Sequence, residues 1–302
     1  MMDDYQKTGI VSILKDAVSF NVAMSAYSTF RVGGKAEAVC FVHELSVLSE
    51  LISFMDSETM PWVVIGKGSN LLFTDRGING AVIILKGELA EVQKEENNVF
   101  TAGGGISTER LLKYCVQQEL SGMEFMAGIP GTLGGAVIMN AGAHGEEIEK
   151  RIVKIGIVSQ SGKTGEMDRS QISFDYRMAS IPEKSVIYEI SLELERGEKE
   201  LIREKIRNYI NKRRETQPLD MPSCGSVFKN PEGDYAGRLI EQCGLKGKHI
   251  GDAVVSSKHA NFIVNTGKAK ASEILELIEY VKKEVWDKTG VMLEPEIRII
   301  GA

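Results

Sequence analysis

Gly128-Ile129-Pro130-Gly131-Thr132-Leu133-Gly134-Gly135 sits inside a longer block, Gly122 to Gly145, in which glycines alternate with apolar residues such as Phe125, Val137 and Ile138. A flexible linker would mix glycine with Ser and Asp, so this block predicts an ordered, buried backbone surface. Where Cβ atoms are missing, a main chain can come within hydrogen-bonding distance of a phosphate or a planar ring, and bare N–H groups in such turns form anion-binding concavities. A second piece, Val63-Val64-Ile65-Gly66-Lys67-Gly68-Ser69-Asn70-Leu71-Leu72, is a short apolar strand running into a turn of the same kind. Gly66 to Asn70 lacks the spacer and the trailing Gly-Lys-Ser/Thr of a P-loop, and no strand leads into Gly-x-Gly-x-x-Gly. The nearest approach, Gly103-Gly104-Gly105-Ile106-Ser107-Thr108, has Thr108 where the third glycine belongs. These spacings argue against a Rossmann site and a P-loop kinase, and for a nucleotide or flavin cradle of another design.

Downstream, Pro222-Ser223-Cys224-Gly225-Ser226-Val227-Phe228-Lys229-Asn230-Pro231 gathers a hydroxyl, a cation and an amide in one loop. Two prolines bracket it, and Gly225 frees the backbone just before Ser226. Ser226, Lys229 and Asn230 offer a proton, a charge and a two-sided hydrogen-bonding group to one polar ligand. Alone, the segment fits an ordinary polar turn equally well.

The 302 residues are long for one core and predict two or three domains. A net charge of −6 argues against nucleic-acid binding, where a basic surface supplies most of the affinity. Any anionic ligand must then meet locally placed cations. Cys40, Cys115, Cys224 and Cys243 are scattered without metal-site spacing, which suits a reducing cytoplasm, and Cys224 reads as a bystander thiol. No apolar run approaches a membrane span, and Met1 to Lys7 lacks signal-peptide features. His43, His144, His249 and His259 give no metal-ligand spacing either.

Apolar residues at helical spacing predict helices over 43–58 (Leu45, Leu48, Ile52, Met55), 107–119, 198–214 and 272–289. Short strands are predicted at 62–65, 81–85, 99–102, 185–194, 253–255 and 262–264, with a hairpin 152–158/164–167 turning at Ser161-Gly162. A last strand over 292–300 would put Glu294 and Glu296 on one face and Leu293, Ile297 and Ile299 on the other. The alternation gives an α+β or α/β chain with a boundary near Gly197.

Eight motifs in order carry a resemblance that covers the chain from about Ser28 to Gly301. They are Thr29-Phe30-Arg31-Val32-Gly33-Gly34, the Gly66–Leu72 turn, the Gly128–Gly135 block, Asn140-Ala141-Gly142-Ala143-His144-Gly145, Ser173-Phe174-Asp175-Tyr176-Arg177, Gly225–Pro231, Lys258-His259-Ala260-Asn261-Phe262-Ile263-Val264-Asn265 and Leu293-Glu294-Pro295-Glu296-Ile297-Arg298. Each is weak alone, but the ordered set is specific, and with it the chain resembles the UDP-N-acetylenolpyruvoylglucosamine reductases (MurB), in length the shorter type II form. The resemblance implies an α+β fold. A two-part FAD-binding domain of the PCMH/vanillyl-alcohol-oxidase type is expected over 1–197, its PCMH-type part from about residue 28, and a C-terminal α/β substrate-binding domain over 198–302. It further implies a monomeric cytoplasmic enzyme of peptidoglycan precursor synthesis, with non-covalent FAD, NADPH as reductant and a UDP-sugar substrate, and with no nucleic-acid or membrane partner and no metal.

By the same resemblance, hydride adds to the terminal carbon of the enolpyruvyl double bond and an enolate develops on the adjacent carboxylate. Arg177 carries over as its forked, permanently charged stabiliser. Glu296 carries over as a second one, which requires a protonated carboxyl and hence a pKa raised by burial. Ser226 carries over as proton donor, a poor acid that needs a basic enolate and a neighbour such as Lys229. Nucleophilic catalysis at Ser226 is disfavoured, because no Gly-x-Ser-x-Gly elbow surrounds it. FAD is expected against Arg31, Gly33, Gly66, Lys67, Gly68, Ser69, Asn70 and Leu71, and against Gly128, Pro130, Gly131, Thr132, Gly134 and Gly135. The N–H groups of the two turns would face its pyrophosphate, with Asn140, Gly142, Ala143 and Gly145 near the ring system. Tyr176, Arg214, Gln217, Lys229 and Asn230 are the expected substrate contacts, although a solvated face suits Arg213 and Arg214 as well. The chain departs from the family pattern at Ser28, His144 and Asp252, where Asn, Tyr and Gly are common, and no inserted tyrosine-bearing loop fits between Arg177 and Glu195. Two competing readings are another flavin oxidoreductase of the same broad fold, which has no need of Ser226, Asn230 and Glu296 together, and a non-catalytic UDP-sugar-binding regulator, against which Arg177, Ser226 and Glu296 count.

Overall fold

The computed structural model of the chain describes residues 1–96 and 98–301. Two compact units interleave along it: Met1–Phe20, Glu37–Gly66 and Asn79–Asn211 make the first, and Asn21–Ala36, Lys67–Ile78 and Lys212–Ala302 the second.

In the first unit, helices α1 (Asp4–Leu14), α2 (Leu45–Ser57), α3 (Thr108–Gln117), α4 (Leu133–Ile138) and most of α5 (Lys199–Thr216) accompany two sheets. α2 buries Leu48, Leu51, Ile52 and Met55, the face its periodicity predicts, and each such side chain contributes about 1.5–3 kcal/mol when fully buried. Ser107 starts α3 by accepting the Arg110 N–H, and Leu111, Leu112 and Cys115 turn inward. The strands Val18–Ala23, Lys35–Val42, Ile78–Leu85 and Trp62–Val64 form one sheet in that order, with the last two parallel. A five-stranded antiparallel sheet runs Thr164–Asp168, Ile152–Val158, Val186–Glu193, Val99–Gly103 and Val92–Glu96. The predicted hairpin is its edge pair, with Ile155 opposite Met167. One core packs Phe100, Leu133, Val137, Ile155 and Ile190, and another packs Ile10, Leu48, Ile52, Ile83 and Leu85.

In the second unit, α6 (Ala236–Gln242) and α7 (Ala271–Thr289) cover a three-stranded antiparallel sheet of His249–Ile250, Ala253–Val255 and Ile263–Asn265. Phe30, Leu72, Val227, Phe228, Ile240, Ile274 and Val281 share one core there. Asp75 caps α7 from a distant part of the chain, its carboxylate accepting the Ala271 and Ser272 N–H groups at 2.9 Å. Burial opposes ionisation of Asp75, but the hydrogen bonds from Ser272 and Ala271, with Lys270 nearby, outweigh it and hold the carboxyl below its ordinary value. The Leu71–Phe73 strand pairs in parallel with Arg298–Ile300.

The final strand differs from expectation. Only Arg298–Ile300 is ladder, because Pro295 has no N–H to extend it and makes a single bridge to Phe228. Leu293 and Ile297 do face inward, but Ile299 is 47% exposed, so the alternation breaks after the proline segment.

Candidate active site

Gly66 and Thr132 bring the two glycine turns together: a Cβ on Gly66 would stand 2.4 Å from Thr132 Oγ1, so only glycine allows the approach. The Thr132 hydroxyl caps α4 by accepting the Gly135 N–H. The Leu133 and Gly134 N–H groups are also spent inside the protein, on Ile106 O at 2.9 Å and Gly104 O at 2.8 Å. Among the described residues, this leaves Gly131 and Thr132 as the N–H donors the turn can present, fewer than the whole Gly131–Gly135 run expected from the sequence. In the second unit, Gly68 adopts φ +62°, and a Cβ there would lie 1.9 Å from Tyr27 O. Thr29 N donates to Gly68 O, and Lys67 is exposed beside it. Ser28 Oγ accepts the Phe30 N–H, while Arg31, exposed at φ +58°, and Gly33 complete the neighbouring turn. Bare backbone with a cation and no acidic side chain within either turn fits a pyrophosphate.

The Asn140–Gly145 turn is stitched to the hairpin Phe174–Asp175/Met178–Ala179. Asn140, 1% exposed, donates through Nδ2 to Glu147 Oε2 at 3.1 Å and to Asp175 O at 3.3 Å, and its Oδ1 accepts the Glu149 N–H. Its amide is thus spent on holding the turn, and a flavin contact from Asn140 would need one of these bonds to yield. Arg177 takes the hairpin tip at φ +60°, with Nη2 donating to Gly142 O at 3.5 Å and its guanidinium 4.8 Å from the Tyr176 ring. Tyr176 itself is exposed. His144, at φ +58°, stacks on Tyr209 of α5 with ring centroids 3.9 Å apart and 6° between planes. The departure at His144 therefore keeps a flat ring in a ring stack.

In the second unit the segment after Gly225 lies antiparallel to Glu294–Glu296. The Lys229 N–H donates to Glu294 O at 2.9 Å, Phe228 bridges Pro295, and the Glu296 N–H donates to Val227 O at 2.7 Å. Ser226 is the next residue along, so the pairing sets Ser226 and Glu296, both half-buried, on adjoining extended segments. Asn70 Nδ2 donates to Glu296 O at 3.1 Å, tying the glycine turn to the same segment. Lys229 Nζ is 3.4 Å from Glu294 Oε2, and Asn230 Oδ1 accepts the Ala236 N–H at the start of α6. Asn230 therefore has a structural task beside any ligand contact.

Of the two adjacent arginines near the end of α5, Arg214 is exposed and Arg213 turns inward. Arg213 Nε and Gln217 Oε1 are buried without a hydrogen-bond partner, and burial pulls the Arg213 guanidinium down from its ordinary value. Helix phase decides this, and a reading by motif alone could not. Sequence reasoning also passed over Asn261, which is 4% exposed and grips the main chain of Phe228, two residues after Ser226. A buried amide inside an otherwise apolar run was the available signal.

Cys224 donates to Leu71 O at 3.1 Å and lies 3.5 Å from Thr29 Oγ1, and burial pushes its thiol up to about 11. Burial pushes Cys40 up to about 12. Both thiols bind their proton more tightly folded than unfolded, where the ordinary value is 9.0. Their stabilisation is intact below pH 9.0 and declines as the pH rises through the folded value of about 11 for Cys224. Urea midpoints should fall between these limits, and Cys224→Ala should flatten the fall; an equal slope in the variant would contradict the assignment. Among the described residues, no group of three or more His, Cys, Asp or Glu side chains could hold a metal ion.

The family model for the FAD binding domain matches residues 36–168, and that for the UDP-N-acetylenolpyruvoylglucosamine reductase C-terminal domain matches residues 217–300. The chain is 40% identical over 291 residues to the UDP-N-acetylenolpyruvoylglucosamine reductase of Caldanaerobacter subterraneus subsp. tengcongensis, covering 96% of each. It is 39% identical over 283 residues to that of Bacillus subtilis, covering 93% of each. The solved UDP-N-acetylenolpyruvylglucosamine reductase of Thermus caldophilus superposes with a TM-score of 0.81 at 33% identity, over 93% of this chain and 98% of that one. An alkyldihydroxyacetonephosphate synthase, at 14% identity and a TM-score of 0.51 over 65% of this chain and 42% of its own, shares the fold alone. With that identity sustained over nearly the whole length of each relative, the chain belongs to the UDP-N-acetylenolpyruvoylglucosamine reductase family.

Proposed function

We propose that the chain is an FAD-dependent reductase that converts UDP-N-acetylglucosamine enolpyruvate to UDP-N-acetylmuramate for peptidoglycan synthesis, with NADPH as reductant. The observation that carries this reading is the main-chain pairing of the Ser226 segment with the Glu296 segment, since it sets a hydroxyl and a carboxyl on adjoining stretches of chain, groups suited to donating a proton to an enolate and stabilising it. Bound FAD supplies hydride transfer, accepting it from NADPH and delivering it to the enolpyruvyl double bond. Gly66, Gly68, Gly131 and Thr132, with Lys67 and Arg31, would hold its pyrophosphate, and the Gly142–Gly145 turn is assigned to the ring system.

The residues of the chain do the rest. Arg177 orients the substrate carboxylate through its fork and stabilises charge gathering there. Glu296, when protonated, donates a hydrogen bond to the same developing charge. Ser226 delivers its proton to the carbon between the carboxylate and the terminal carbon, and Lys229 favours restoring the hydroxyl. Tyr176, Arg214, Gln217, Lys229 and Asn230 receive the UDP portion, an assignment the net charge of −6 makes dependent on local cations. We assign residues 1–197, Tyr176 and Arg177 excepted, to cofactor binding and 198–302 to substrate binding. We also infer a cytoplasmic monomer without nucleic-acid or membrane partners; among the described residues no helix is long and apolar enough to cross a membrane.

The visible spectrum is the first test: flavin bands should be present in the purified protein, and a colourless protein that takes up no FAD sinks the reading. The cysteines are buried, so no thiol is presented for a covalent link. Acid or heat should therefore release free yellow cofactor into the supernatant. Colour that stayed with the precipitate would favour an oxidase of the same fold.

A further inference from the structure

We propose that Asn261 is a positioning residue for Ser226, a role that rests on the reading of Ser226 as proton donor. The Asn261 side chain grips both polar groups of one residue: Oδ1 accepts the Phe228 N–H at 2.9 Å and Nδ2 donates to Phe228 O at 2.8 Å. Its main-chain carbonyl accepts the Val227 N–H at 2.8 Å. On the other side, Val227 O accepts from Glu296 N and Lys229 N donates to Glu294 O. The two residues after Ser226 are thus clamped from both flanks. Just before it, Gly225 stands at φ +76° with no atom within 4 Å of where a Cβ would be. Ser226 is the junction between an open turn and a clamped segment, and the clamped side decides where its hydroxyl points.

The grip needs an amide. A carboxylate has no donor for Phe228 O, and an aliphatic side chain would leave two buried backbone groups unpaired. The strut is itself held: Asn261 N donates to His259 Nδ1 at 3.3 Å, Phe262 N donates to His259 O, and Ala260 and Phe262 are buried on either side. Proton delivery depends on hydrogen-bond geometry, and displacement by about 1 Å costs roughly 10²-fold.

The test uses the FAD-loaded protein and follows each half-reaction by stopped-flow absorbance. Asn261→Ala should leave the NADPH half-reaction at the parent rate and slow the enolpyruvyl half-reaction by about 10–10²-fold. The double variant Ser226→Ala/Asn261→Ala should be no slower than Ser226→Ala, because the amide acts only through the hydroxyl. Hydrogen exchange without substrate should speed up at Phe228. Asn261→Asp serves if the alanine variant does not fold: its carboxyl matches both Phe228 groups only while protonated, so its rate relative to the parent should recover as the pH falls. If Ser226→Ala runs at the parent rate, the proton-donor reading fails and the proposal with it. If Ser226→Ala is slow but the two variants' effects multiply, or Asn261→Asp tracks the parent at every pH, only the positioning role is overturned.

Discussion

Ser226→Ala is expected to leave the NADPH half-reaction intact and to slow the enolpyruvyl half-reaction by about 10²–10⁴-fold, the range for removing a positioned general acid. The selectivity follows from the task. In the proposed role the hydroxyl is needed only where a proton reaches carbon, and it sits on a segment paired with Glu296, in the unit that also carries Lys229. Arg177→Lys is the companion variant: it keeps the charge, loses the fork, and should also damage the enolpyruvyl step selectively. Arg177 stands on a different hairpin, where it donates to Gly142 O, so its loss tests the anion-stabilising role without touching the Ser226 segment. Parent-rate reaction of Ser226→Ala with the enolpyruvyl substrate would return the loop to a binding role.

Gly68→Ala should be the most damaging single-methyl change. At φ +62° an alanine costs about 1–2 kcal/mol in backbone conformation alone. The added carbon would also meet Tyr27 O at 1.9 Å, a backbone atom that no rotamer change can move aside. The turn must open, releasing the contacts that Thr29 and Cys224 make with the Gly68 carbonyl. The variant should purify without flavin and unfold at a clearly lower urea concentration. Gly244→Ala is the control, at a position outside the proposed site with φ +74° and no atom within 4 Å of the new carbon, so only the conformational cost applies. Equal urea midpoints and equal flavin content in the two variants would show that the close approach to Tyr27 is not what requires glycine.

Where a local period or turn decides structure, the sequence was legible. Leu48, Ile52 and Met55 on α2 and the hairpin around Gly162 needed nothing beyond spacing and turn chemistry. Lys35–Val42 was missed because Ala36, Ala38, Val39, Cys40 and Val42 are all buried, so it lacks the alternation of a half-buried strand. α4 was hidden by its glycines, poor helix formers, and is held by the Thr132 cap and by the bonds from Leu133 and Gly134 into Gly104–Ile106. For the candidate site, motif order singled out Arg177, Ser226 and Glu296 as the residues to propose, but it could not reveal that Val227 and Glu296 pair, since that contact is long-range. Nor could it say which of two adjacent arginines turns inward, which depends on how α5 is rotated on its axis.

The parallel ladder between Leu71–Phe73 and Arg298–Ile300 has a consequence for synthesis on the ribosome. The early segment emerges with its edge unpaired and waits for almost all of the remaining chain before its partner strand exists, while α2 and the strands of the antiparallel sheet find their neighbours much sooner. The second unit must therefore close last. The turn holding Gly68 and Asn70 can meet Thr29 early, but it gains its contacts to Cys224 and Glu296 only after translation has passed both. Nascent chains stalled before Cys224 would carry this turn without either late partner, so, if the turn holds flavin as proposed, flavin capture becomes one of the final events in the making of the protein.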